Sequence, residues 1–178
     1  DREEYERIVA KESLTNPLIE RLDTLPAGRE NWSKYEDLCE EILSFCFVPP
    51  LLEPERRSPT EGGLHKRDLH YPIPHQVDGF WAYVKNTYSS LSLIVECKNY
   101  SDPIGPNEVV ITSKYFGAKK LGTFGIIVSR KGSQANCWKQ QIQYWQEDSK
   151  MILCLSDKDL RDMIILKLKE KEPETVLD

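Results

Sequence analysis

Apolar residues along the chain recur with two periods, and the two periods mark out its elements. From residue 33 to 47, Tyr35, Leu38, Cys39, Ile42 and Cys46 fall at helical spacing. Ser33 reads as the N-cap, with Glu36 completing a capping box, and Pro49-Pro50 stops the helix near Phe47. Leu91 to Asn99 is the clearest strand, an unbroken apolar run ending in Glu96-Cys97-Lys98-Asn99. Shorter strands are expected over 65–73, 124–129 and 151–155, and an irregular or edge strand within 51–63. Helices are expected over 80–88, 107–120 (with Gly122 as its C′ glycine), 134–148 and 157–170, the last capped by Ser156. Ala135, Trp138, Ile142 and Trp145 share one side of the helix at 134–148. Residues 1–23 read as a polar amphipathic helix broken at Asn16-Pro17. In the second half strands alternate with helices, which implies a mixed sheet flanked by helices.

The division that follows is an N-terminal helical linker or docking segment at 1–30, a main domain at 31–170 and a charged, frayed tail at 171–178. The chain begins without Met, which reads as a piece of a longer protein. With 178 residues it is long enough for one domain with a real core.

Composition narrows the class. Charged residues make up 30% of the chain, and no apolar run approaches the ~20 residues of a membrane span. Five cysteines, an odd number with no C-x-x-C pair, argue against a disulfide framework or zinc ribbon and for a reduced, cytoplasmic setting. A net charge of −5 offers no bulk attraction for nucleic acid. Basic pairs at Arg56-Arg57, Lys66-Arg67, Lys119-Lys120 and Arg130-Lys131 supply local charge. His65, His70 and His75 recur every five residues, which suits neither a helix face nor a strand face, and zinc is not expected there.

The candidate chemistry sits at the end of the core strand. Side chains alternate faces along a strand, so Glu96 and Lys98 project together and Cys97 points to the opposite, packed side. Asp68 lies on the preceding predicted strand and can reach the same point; Asp78 is nearer in sequence but falls in a Pro-rich turn and ranks second. Two carboxylates form an oxygen-rich site suited to Mg²⁺ or Mn²⁺. Lys98 beside them can position water or stabilise charge on phosphorus.

Asp68 followed by Glu96-x-Lys98 on a core strand resembles the PD-(D/E)xK nuclease superfamily. Tyr35-Glu36-Asp37-Leu38 and Glu96-Cys97-Lys98-Asn99-Tyr100 are similar to the Mrr-like branch, the likeness covering about residues 33–155. The resemblance implies an α/β, restriction-endonuclease-like fold with a mixed central sheet flanked by helices. It implies a Mg-dependent endonuclease of restriction or antiphage type that hydrolyses DNA phosphodiesters. Asp68, Glu96 and Lys98 would be catalytic, and Glu36, Asp68 and Glu96 would hold Mg²⁺ (or Mn²⁺). Two features depart from the family: Arg67 stands where a Pro is usual, and 109–115 lacks the Gln often found there.

Arg67, Asn99, Tyr100, Lys114, Lys119 and Arg130 are the candidate nucleic-acid contacts. DNA is the expected partner and RNA the alternative, with a homodimer or a larger multidomain protein as the setting. Two competing readings are a catalytically inactive nucleic-acid-binding domain and a protein-interaction module in which the charged residues form a structural salt bridge.

Overall fold

A computed structural model of the chain describes residues 16–56, 69–114 and 122–177. Among these residues five strands form one sheet in the order β1 (Glu55–Arg56), β2 (Leu69–Pro72), β3 (Ser92–Lys98), β4 (Phe124–Ser129) and β5 (Met151–Leu155). The pairs β1–β2 and β2–β3 are antiparallel, and β3–β4 and β4–β5 are parallel. β3 is therefore central, flanked by one antiparallel and one parallel neighbour, and its apolar residues are buried on both faces.

Among the described residues six helices cover the sheet: α1 (Pro17–Thr24), α2 (Trp32–Phe47), α3 (Gly79–Thr87), α4 (Pro106–Ser113), α5 (Cys137–Asp148) and α6 (Asp157–Leu168). On one face, α1, α2, α3 and α6 share a core with Leu93, Val95, Ile126 and Val128. On the other, Val109 of α4 and Cys137 of α5 pack on Ile94, Ile127 and Ile152. The parallel strands are joined through α4 and α5, as a crossover requires. This is the mixed α/β sheet with flanking helices that the sequence pattern predicts.

Several details differ from the expectation. α2 starts at Trp32, continuing a 3₁₀ turn at Arg29–Asn31, and no side chain caps it. The turn already sets helical geometry, so Ser33 lies inside the helix and Glu36 is not committed to a capping box. Asn16 caps α1 through its side-chain oxygen, and α1 buries Ile19 and Leu22 in the main core. The C-terminal residues also pack. Pro173–Val176 forms a 3₁₀ turn in which buried Glu174 accepts a hydrogen bond from the Trp81 indole N–H at 2.7 Å.

The described part of α4 ends at Ser113; residues 115–121, on which the C′ reading of Gly122 rests, lie outside the described residues. Gly122 has φ +104°, and a Cβ there would fall 2.2 Å from Ser90. Glycine is required at that close approach. The apolar side of α5 lies outward. Trp138, Ile142 and Trp145 are about half exposed, while Cys137 is buried and Gln141 donates to the Ile152 carbonyl at 2.7 Å. The aromatic side of α5 faces away from the sheet.

Candidate active site

β3 carries two opposite charges at its C-terminal end because the strand alternates. Ile94, Glu96 and Lys98 lie on one side, and Val95 and Cys97 on the other. Glu96 and Lys98 are only 5% and 8% exposed, and the Lys98 ammonium donates directly to Glu96 Oε1. A charge pair this deep in the protein is costly to build unless both groups are solvated by partners. Here they face a cavity of about 960 Å³.

The cavity has three walls. Its floor is the end of β3. One side is Gly28, Arg29 and Trp32 with Glu36 from the first turns of α2; Glu36 is 7% exposed. The other side is the loop after β3, up to Glu108 of α4, together with Gln134. Both sides are stitched in place. The Asn99 side chain donates to the Gly28 carbonyl at 2.9 Å and the Pro26 carbonyl at 3.3 Å, and the Gly28 N–H returns a bond to the Asn99 carbonyl at 2.9 Å. Opposite, Ile104 N–H donates to Gly132 and Gln134 N–H donates to Ile104, at 3.0 and 2.9 Å. Glu108 accepts from Gly105 N–H at 3.1 Å, which fixes the start of α4.

Among the described residues the cavity is lined by the carboxylates of Glu36, Glu96, Asp102 and Glu108 and the cations of Arg29 and Lys98. The acids outnumber the bases, so an anionic substrate needs a further cation to enter. Glu36 and Glu96 both act on the Cys97 thiol. It is raised well above its ordinary value by a hydrogen bond with Cys39, then by burial, and further by these two carboxylates. Oxygen donors of this kind suit Mg²⁺ or Mn²⁺. Among the described residues no group of three or more His, Cys, Asp or Glu is placed to hold a metal ion. Asp68, the third expected acid, lies outside the described residues, as do Arg67 and Lys119.

The other expected residues are dispersed. Tyr100 lines the cavity, and Lys114 is exposed at the end of α4. Arg130 is committed elsewhere: it lies over the Tyr35 ring at 5.0 Å, pairs with Asp157 at 2.8 Å and donates to the Leu22 carbonyl at 3.1 Å. Asp78 is exposed at the start of α3 and lines a different cavity, beside Trp81 and Lys167. Glu40, the neighbour of Glu36 one turn on, pairs with Arg56. Arg29, Trp32, Asp102, Glu108 and Gln134 are among the lining residues not anticipated from the sequence. Gln134, in the loop before α5, lines the cavity wall, while Thr112 and Ser113 of α4 are buried.

One solved structure is similar over 89% of this chain, with a TM-score of 0.50 and 15% identity: the DNA modification-dependent restriction endonuclease AspBHI. The chain has the restriction-endonuclease-like fold. It spans 36% of that protein's chain. A curated relative from Escherichia coli (strain K12), described as "Putative transposon gamma-delta 80.3 kDa protein", is 23% identical over 163 residues, covering 88% of this chain and 22% of the relative. No family model matches. In restriction-endonuclease-like terms, the cavity lies at the C-terminal end of the central strand, where β3 meets the helix that precedes the sheet. No helix among the described residues is long and apolar enough to cross a membrane.

Proposed function

We propose that the chain is a metal-dependent endonuclease of the PD-(D/E)xK superfamily, Mrr-like branch, hydrolysing phosphodiester bonds of DNA. The observation that carries this reading is the buried Glu96–Lys98 pair at the end of β3, opening with Glu36 into one acidic cavity. The AspBHI likeness supports the fold on which such a site is built, and a DNA modification-dependent restriction endonuclease as neighbour agrees with DNA as substrate. A role as the effector domain of a restriction or antiphage protein is part of the proposal, with DNA as partner and a homodimer or larger multidomain protein as the setting.

Glu36, Asp68 and Glu96 would hold Mg²⁺ (or Mn²⁺), and Asp68, Glu96 and Lys98 would be catalytic. The support for Asp68 is register: Leu69, which follows it in the chain, pairs with Val95, which precedes Glu96. Bound there, the ion would supply Lewis acidity and a water of lowered pKa. Glu96 orients the ammonium of Lys98 through their direct hydrogen bond. Lys98, so held, donates to a phosphate oxygen and stabilises the charge that grows on it during attack. The walls set by Asn99 and Ile104 keep this geometry before substrate arrives, which is how fixed donors lower a barrier.

Thermal unfolding with Mn²⁺ tests the donor set. A hundredfold excess over Kd adds about 2.7 kcal/mol, which for a chain of this size raises Tm by about 5–10 °C. Glu96→Gln and Asp68→Asn should each remove most of that gain. An equal gain in both variants would contradict the assigned ligands.

A further inference from the structure

Trp32 and Tyr100 are 43% and 42% exposed, yet both line the cavity that holds Glu96 and Lys98. Large aromatics left in water at the mouth of a charged cavity have no role in the core, and their neighbours are fixed. Trp32 opens α2 directly after the turn that carries Arg29, and Tyr100 follows Asn99. Asn99 binds that turn through Gly28 and Pro26, so one residue ties together the two segments that present the rings.

We infer that Trp32 and Tyr100 form a stacking subsite for an unpaired nucleobase of the substrate strand, with Arg29 beside them to meet its phosphate. The inference rests on the nuclease reading and adds a substrate class: single strands, overhangs or locally opened duplex rather than continuous base-paired DNA. The physical ground is specific to the rings. A base inside a duplex shows only its edges to a protein, whereas an unpaired base exposes a π-face that an indole or phenol ring can cover. Stacking also explains how an acidic cavity holds an anionic strand. Ring contact supplies affinity that does not depend on neutralising phosphates, so fewer basic residues suffice. Arg29 and Lys98 are the cations lining this cavity among the described residues. Asn99 then acts as a positioning residue for the subsite.

Fluorescence anisotropy on the full chain, with Ca²⁺ in place of Mg²⁺ and labelled single-stranded and duplex oligonucleotides of the same sequence, tests this. Wild type should bind the single strand more tightly. Trp32→Ala and Tyr100→Ala should each weaken that binding about tenfold or more while leaving the weaker duplex binding little changed. Trp32→Phe should recover most of the loss, and Trp145→Ala, on the far side of α5, should bind as wild type. An oligonucleotide with abasic positions should bind wild type as poorly as the intact strand binds Trp32→Ala. Matching thermal unfolding of the variants excludes misfolding. Unchanged single-strand binding in both alanine variants, or abasic strands bound as well as intact ones, would overturn the subsite. Metal-dependent cleavage that needs Lys98 but ignores both rings overturns the subsite and leaves the nuclease reading standing. Ring-dependent binding with no cleavage under any divalent metal overturns the nuclease reading and leaves a nucleobase-binding cleft.

Discussion

Asn99 and Gly28, 71 residues apart, are joined by hydrogen bonds in both directions, side chain to carbonyl and N–H to carbonyl, each at 2.9 Å. The pair closes one wall of the cavity and holds the turn before α2 against the end of β3. Asn99 itself is buried. Asn99→Ala removes the amide donor and leaves the Gly28 and Pro26 carbonyls without it. A loss of about 1–3 kcal/mol is expected, read from the denaturant midpoint at unchanged m-value. Full stability in this variant would remove the structural role assigned to the clamp.

Lys98 and Glu96 make a sharper case. Truncating one partner of a buried pair strands the other charge, whereas removing both relieves it. Because the pair faces a cavity that admits water, the penalty should be smaller than in a dry core, about 2 kcal/mol for Lys98→Met. Glu96→Gln/Lys98→Met should recover most of it. A double-mutant cycle measures the coupling. Additive losses in the cycle would contradict a direct pair.

The aromatic side of α5 separates two expectations. A buried Trp reduced to Ala costs about 3–5 kcal/mol. Trp138 and Trp145 are half exposed, so Trp138→Ser and Trp145→Ser should each change stability by no more than about 0.5 kcal/mol. Calorimetry decides between the two figures.

Alkaline pH should destabilise the fold through its thiols. Burial pushes Cys46 and Cys154 up to about 12, and a hydrogen bond with Cys39 together with burial raises Cys97 well above its ordinary value. A folded-state pKa above the unfolded one means that the folded chain keeps its proton longer. The contribution is therefore complete below the unfolded thiol pKa of about 8.5 and is lost as pH rises from there towards 12. Each thiol contributes a loss of up to about 1.4 kcal/mol per pH unit in that window. Urea midpoints at pH 8 and pH 10 should show the fall, and native-state alkylation of these cysteines at pH 8 should be slow.

The sheet was readable because β3 is an unbroken apolar run and the later strands alternate with helices of ordinary length. Strand alternation alone put Glu96 and Lys98 on one side and Cys97 on the other, as the structure has them. Glu36 was reachable only through family resemblance. Capping-box spacing assigned it a local role, which the turn at Arg29–Asn31 makes unnecessary. Trp32 and Arg29 were missed because nothing local marks a contact between Gly28 and Asn99. On α5 helical spacing identified the apolar side but not the surface it meets. Short-range bonds of Gln141 and the burial of Cys137 turned the other side to the sheet.

The central claim is tested most directly by nicking of supercoiled plasmid DNA with Mg²⁺ or Mn²⁺, comparing wild type with Lys98→Ala and Asp68→Ala. Wild type should convert supercoiled plasmid to open-circular and linear forms only when the metal is present. Each variant should lose about a hundredfold or more of that rate. Cleavage that survives both substitutions, or that proceeds in EDTA, would contradict the site built on Asp68, Glu96 and Lys98.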